Sequence, residues 1–215
     1  PTPLRNHYQV LYLDFSQISN NIDLLEDNFN RYCCIKLNDF IHTYCEDYPE
    51  DKINEFLRAN NFGQKLNMLL NMSRKYGQAL YLIIDEYDSF TNIVFSEQVE
   101  ETYFKTSLIG RFYSHVFKLF KGMFERIFLT GVSPVTLDDL TSGFNIGWNV
   151  SMAPELDKML GFSTEDVRQM FTYFKEAGQL PADCDIEAMI AEMKPWYDNY
   201  CFAKECLESD VRVFN

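Results

Sequence analysis

Residues 79–84 read Ala-Leu-Tyr-Leu-Ile-Ile, and the run ends abruptly in Asp85 and Glu86, with Asp88 close behind. A short apolar run without polar alternation reads as a buried strand. Two further runs have the same form. "YQVLYLDFS" (8–16) ends in Asp14 and Ser16, and "RIFLTGVSPV" (126–135) breaks at Gly131 and Pro134. Each strand is expected to leave the core and deliver a polar residue at its tip.

The stretches between these runs have helical spacing. Leu25, Phe29, Tyr32, Cys33, Leu37, Phe40, Ile41 and Tyr44 fall on one stripe, which predicts a long amphipathic helix over 22–46. Shorter helices are predicted near 50–60 and 63–75, separated by "NNFG" and closed by Gly77. Residues 98–123 read as one or two aromatic-rich helices. Strand, helices, strand, helix, strand is the grammar of an α/β fold with a parallel sheet. The sequence therefore divides into an α/β core over 1–135 and a small, mostly helical and turn-rich extension of the same module over 136–215. In the extension, Ser163 and Asp166 form a capping-box pattern ahead of a face of Val167, Met170, Phe171 and Phe174. A second helix is expected near 185–193, and "KPWYDNYCF" (194–202) is expected to be extended or turning.

Charge narrows the function classes. With 19 Lys and Arg against 32 Asp and Glu, the net charge is −13. Such a chain is a poor non-specific ligand for nucleic acid or an anionic membrane. No stretch approaches the roughly 20 apolar residues of a membrane helix. The six cysteines form no C-x-x-C pair, which suits a reduced, intracellular, cytoplasmic protein with buried thiols. His7, His42 and His115 have no metal-ligand spacing.

Hydrophobics running into Asp-Glu have the form of a Walker B strand. There the Asp holds Mg²⁺ and the Glu orients the attacking water. A strand that merely leaves the core for a polar loop gives the same pattern. Thr130 and Ser133 stand at the tip of the next strand, where a polar residue senses the γ-phosphate in P-loop ATPases. In a Gly-Pro turn the same residues satisfy backbone groups.

"IIDEYDSF", "LTGVSPVTLDDLTSGFNI", "LGFSTEDV" and "WYDNYCF" occur in an order and spacing that resemble the AAA-ATPase-like domain family. These are divergent P-loop ATPases, often joined to a PD-(D/E)XK nuclease-like domain. "LYLDFS" fits the same family, and the run 129–146 is the most specific part. The resemblance implies a parallel sheet of the P-loop NTPase type, with the 80–85 strand between the other two. It implies Asp85 as the metal- and cofactor-binding aspartate, Glu86 as the catalytic glutamate and Thr130 as the sensor. Asp88 matches a family acid without an assigned role. Gly143 and Trp196 are expected to be turn and packing residues.

One departure bears on activity. The family's Walker A loop lies ahead of the "LDFS" strand, and a phosphate cradle needs Gly-x-x-x-x-Gly-Lys-Ser/Thr. The dipeptide Gly-Lys does not occur here. The expectation is an incomplete sheet, its first strand missing from beside strand 126–133, in a chain cut from a longer parent or one that has lost nucleotide binding. The start at Pro1 rather than Met favours a cut. Mg²⁺ and ATP are expected in an intact parent, which is an ATPase if it supplies a P-loop. Neither is expected to bind this chain tightly. Arg111 and Arg126 are candidates for an arginine finger by elimination alone.

Two other readings stay open. One is a catalytically inactive scaffold for a protein partner. The other is a metal-dependent phosphoesterase or nuclease in which Asp14, Asp85 and Glu86 share a divalent ion. Against the latter stand the acidic charge and the absence of a Lys after the "IDEYDSF" acids.

Overall fold

The computed structural model describes residues 3–19, 21, 24–89, 115–120, 122–132, 149–208 and 212–214. The chain forms two compact units, Pro1–Ile146 and Gly147–Asn215. The first holds a three-stranded parallel sheet of β1 (Tyr8–Asp14), β2 (Ala79–Asp85) and β3 (Arg126–Leu129), in the order β1-β2-β3. The strand that ends in Asp85 is the middle one, as the family resemblance implies. Among the described residues, β3 pairs with β2 alone.

One face of the sheet carries Gln9, Leu11 and Leu13 of β1 and Leu80, Leu82 and Ile84 of β2, all buried. Helices α1 (Leu25–Thr43) and α3 (Phe62–Tyr76) pack on it, with α2 (Glu50–Arg58) against α3. The predicted stripe of α1 is borne out. Leu25, Phe29, Cys33, Leu37, Phe40 and Ile41 are all in the core. Tyr32 and Tyr44 serve differently. Their hydroxyls accept the outward amides of Asp14 at 2.8 Å and Val10 at 3.0 Å. An edge strand otherwise exposes a row of unpaired groups, and Tyr32 of α1 and Tyr44 just beyond it cover part of that row with phenols.

α3 starts and stops where its sequence says. The Asn61 side chain accepts the Gln64 amide, and Gly77 ends the helix at φ 69, a left-handed value that suits glycine. Lys65 sits on its buried face at 1% exposure. Its ammonium donates to the Phe56 carbonyl at 2.7 Å, near the C-terminal end of α2, and lies 4.4 Å from the Phe56 ring centre. A buried charge survives here because it meets a carbonyl of the helix end, shared with the Ala59 amide, and a ring face. Burial lowers the Lys65 pKa.

Of the predicted 98–123 helices, residues 115–120 are helical and 98–114 lie outside the described residues. β3 is shorter than expected, ending at Leu129. The reason lies in the site described below, where the chain is turned after Thr130.

The second unit pairs α4 (Thr164–Glu176) with α5 (Ile186–Tyr197) around Val167, Phe171, Ile190 and Phe214. The Ser163–Asp166 capping box forms as predicted. Met170 and Phe174 are exposed, so the apolar face is narrower than its sequence suggests. α5 runs through Tyr197, beyond the predicted end at 193, with Pro195 inside it. Proline removes one intrahelical bond, yet the last turn persists. A small antiparallel pair, β4 (Asp198–Tyr200) and β5 (Val213–Phe214), follows. Strands of that length leave no readable alternation. Trp196 is 79% exposed, which overturns its expected packing role. Gly143 lies outside the described residues.

All six cysteines are free thiols, but only Cys33 is buried, which corrects the expectation of generally buried thiols. Among the described residues no helix is long and apolar enough to cross a membrane.

Candidate functional site at the strand tips

The parallel register sets Asp14 of β1 directly beside Asp85 of β2. β3 then brings Thr130 to the same rim. Its amide donates to the Ile84 carbonyl at 2.9 Å, and its carbonyl accepts the Tyr87 amide at 3.0 Å. The two strand tips therefore stay bonded past the end of the regular sheet. The Thr130 hydroxyl donates to Oδ1 of Asp85. The sequence-predicted trio of Asp85, Glu86 and Thr130 is thus assembled from two strands, with Glu86 the residue that follows Asp85.

Asp85 is held from three directions. Besides Thr130, the Glu86 amide donates to Oδ1 at 3.0 Å and the Tyr12 hydroxyl donates to Oδ2 at 3.0 Å. A carboxylate offers about four acceptor positions. With these three donors in place, one remains for a hard cation or its bound water. Tyr12 was not among the predicted site residues. It lies on the face of β1 that carries Asp14, in register with Ile83 and so on the face of Asp85. That register is the signal by which it can be found.

Glu86 is exposed and has φ 49, in the left-handed region that non-glycine residues enter at a cost. The residues after it turn inward, because Tyr87 and Asp88 are both buried. Glu86 is therefore lifted off the strand between a fixed Asp85 and a buried anchor.

Asp14 is occupied elsewhere. Its Oδ1 accepts the Ser16 amide at 3.0 Å and the Ser16 hydroxyl at 2.7 Å, and its Oδ2 accepts the Gln17 amide group at 2.8 Å. The Ser16 hydroxyl, most of all, holds its carboxyl below the usual carboxylate range, against the opposing effect of burial. Among the described residues no group of three or more His, Cys, Asp or Glu is arranged to hold a metal ion. The site shared by Asp14, Asp85 and Glu86, on which the phosphoesterase reading depends, is not formed.

Arg126 begins β3 and Thr130 follows its end, so they stand at opposite ends of that strand, about 13 Å apart. Arg126 lies instead beside Tyr8, whose hydroxyl raises the arginine's pKa. Within its own chain it stands away from this rim. Arg111 and Ser133 lie outside the described residues.

No curated protein and no solved structure matches the chain. A family profile described as a predicted AAA-ATPase matches residues 1–141, a span that includes β1, β2, β3 and every residue of the rim. The chain belongs to the AAA-ATPase-like family.

Proposed function

We propose that this rim is the hydrolytic centre of a P-loop ATPase-type module, with Asp85 binding Mg²⁺, Glu86 orienting the attacking water and Thr130 sensing the γ-phosphate. The observation that carries the reading is the Thr130 hydroxyl bonded to Asp85 across two adjacent parallel strand tips. Ligands of open α/β sheets bind beyond the carboxyl ends of the strands. Family membership supports the same chemistry.

The donor set fits Mg²⁺. That ion is bound by one or two carboxylates and takes its remaining ligands from water and phosphate oxygens. Asp85, with one acceptor position left, suits it better than it would suit an ion needing an all-protein cage. Mg²⁺, when bound, neutralises charge developing on the phosphate oxygens. The chain's own residues do the rest. Tyr12 and the Glu86 amide fix the Asp85 carboxylate. The Thr130 hydroxyl holds the Asp85 carboxylate with its one proton and turns from Oδ1 to reach a phosphate oxygen. Glu86, lifted from the strand, presents a carboxylate that aligns a water and accepts its proton.

The phosphate grip is not supplied by these residues, because the sequence contains no Gly-Lys pair. Mg·ATP is therefore expected to bind the 215-residue chain weakly, and micromolar affinity by calorimetric titration overturns that expectation. In a protein that carries these residues behind a Gly-x-x-x-x-Gly-Lys-Ser/Thr loop, Glu86→Gln retains Mg·ATP binding and loses about 10²–10⁴-fold in turnover. Unchanged turnover removes Glu86, and the reading with it.

A further inference from the structure

Asp88 is the third acid of the stretch that ends β2, and it is 1% exposed. A buried carboxylate is tolerated only when strong donors meet it. Here both oxygens accept the Val132 amide, at 3.2 and 3.0 Å. Val132 belongs to the loop that follows β3, so Asp88 reaches across to the neighbouring strand's exit.

Between the two lies Gly131. A Cβ at that position would come within 2.5 Å of the Asp88 Oδ1 and 2.7 Å of the Tyr87 ring. The φ of Gly131 is not in the left-handed region. Glycine is required there for space, because the loop backbone presses against the buried anchor. A second tie runs beside the first, from the Tyr87 amide to the Thr130 carbonyl at 3.0 Å. The Ser89 amide closes the turn onto the Glu86 carbonyl at 2.9 Å. The turn that sets Glu86 in its left-handed conformation is thus clamped onto the loop that carries Thr130.

We propose that Asp88 is a positioning residue whose buried carboxylate locks Gly131–Val132 to the 85–89 turn, so that the tips of β2 and β3 move as one piece. Thr130 and Glu86 then keep fixed places about Oδ1 of Asp85. A ligand that displaces the 130–132 loop is felt at Glu86 through this clamp. What the clamped piece does rests on the ATPase reading. The coupling itself does not.

The test is amide hydrogen exchange and ¹H–¹⁵N spectra of the 215-residue chain. The Val132 amide is expected to be protected, and Asp88→Ala to speed its exchange about 10- to 100-fold, the scale of a hydrogen bond to a charged group. The Glu86 and Thr130 amide resonances are expected to move with that of Val132, while those of Gln9–Leu13 stay. Asp88→Asn keeps an acceptor and is expected to hold Glu86 and Thr130 near their original positions. If Asp88→Ala does not fold, Gly131→Ala takes its place, since it pushes the same loop away and should shift Glu86. Three results overturn the proposal. One is unchanged Val132 exchange in Asp88→Ala. Another is a Val132 resonance that moves while Glu86 and Thr130 do not. The third is Asp88→Asn displacing both residues as far as alanine does. None of these depends on turnover, so they are separable from failure of the Glu86→Gln experiment.

Discussion

The Tyr12 hydroxyl donates to Oδ2 of Asp85 at 3.0 Å, from the body of β1 to the tip of β2. Tyr12 is level with Ile83, so its side chain spans about 7 Å along the sheet to make this contact. The phenol is kept protonated by the bond it donates, then by partial burial and by the charges of Asp85 and Asp14, all of which raise its pKa. Asp85→Asn removes the main cause. The Tyr12 pKa is then expected to fall back toward the ordinary tyrosine value of about 10. Titration of ¹³Cζ-labelled tyrosine, with Tyr12→Phe to assign the signal, measures it. A Tyr12 titration identical in both backgrounds rules out the contact.

Glu86 gives a prediction about stability in the opposite sense to its prediction about turnover. A left-handed residue with a Cβ costs about 1–2 kcal/mol, and glycine escapes that cost while losing about 0.5–1 kcal/mol through the freedom of the unfolded chain. Glu86→Gly is therefore expected to be more stable than Glu86→Ala by about 0.5–1 kcal/mol, read from urea midpoints at constant slope. Equal midpoints, or a less stable glycine variant, show that the turn does not hold residue 86 at φ 49.

How much of this was legible beforehand differs between residues for physical reasons. Strand β2 was legible because its apolar run supplies a buried face of Leu80, Leu82 and Ile84 and a half-buried face with Tyr81 and Ile83, so no polar break interrupts it before Asp85. α3 was legible from its local caps, Asn61 and Gly77. The convergence of Asp85 and Thr130 followed from the strand order that the family resemblance implies. Tyr12 and Asp88 were not legible, because their partners are set by strand register and by a loop returning from β3. Neither is a local property. Lys65 was hidden for a related reason. A charged residue on an apolar stripe signals nothing until the Phe56 carbonyl of α2 lies against it.

Acid should loosen the start of the chain through Asp14. Its carboxyl titrates lower in the folded protein than the ordinary value of about 3.9, chiefly because it accepts the Ser16 hydroxyl. A depressed carboxylate contributes stability that is present above the unfolded pKa and is lost as pH falls through the folded one. Ser16→Ala is therefore expected to lower stability near neutral pH while making it less sensitive to pH below about 4. The measurement is the urea midpoint of both proteins from pH 6 to pH 3. Parallel curves would mean that the Ser16 hydroxyl leaves Asp14 unshifted.

Base should act through Tyr32, the α1 phenol that, with Tyr44 just beyond the helix, covers the outer edge of β1. Burial, above all, raises its pKa to about 12, even though accepting the Asp14 amide works in the other direction. An unfolded tyrosine ionises near pH 10. Between those values the unfolded chain gives up a proton that the folded chain keeps, so the unfolded state gains as pH rises. The contribution of Tyr32 is present below about pH 10 and is lost through the window up to about 12. Tyr32→Phe removes this source of alkaline sensitivity, but it also leaves the Asp14 amide, which now donates to the hydroxyl at 2.8 Å, without that acceptor. The variant is therefore expected to be less stable at neutral pH by about 1–3 kcal/mol, the cost of an unsatisfied, partly buried donor. It is also expected to show a shallower loss of stability between pH 10 and 12. Urea midpoints across that range, paired with tyrosinate absorbance at 295 nm to follow ionisation, separate the two effects. A variant that matches the parent at neutral pH shows that the phenol does not hold the β1 edge. One that falls as steeply at high pH assigns the alkaline transition to other tyrosines.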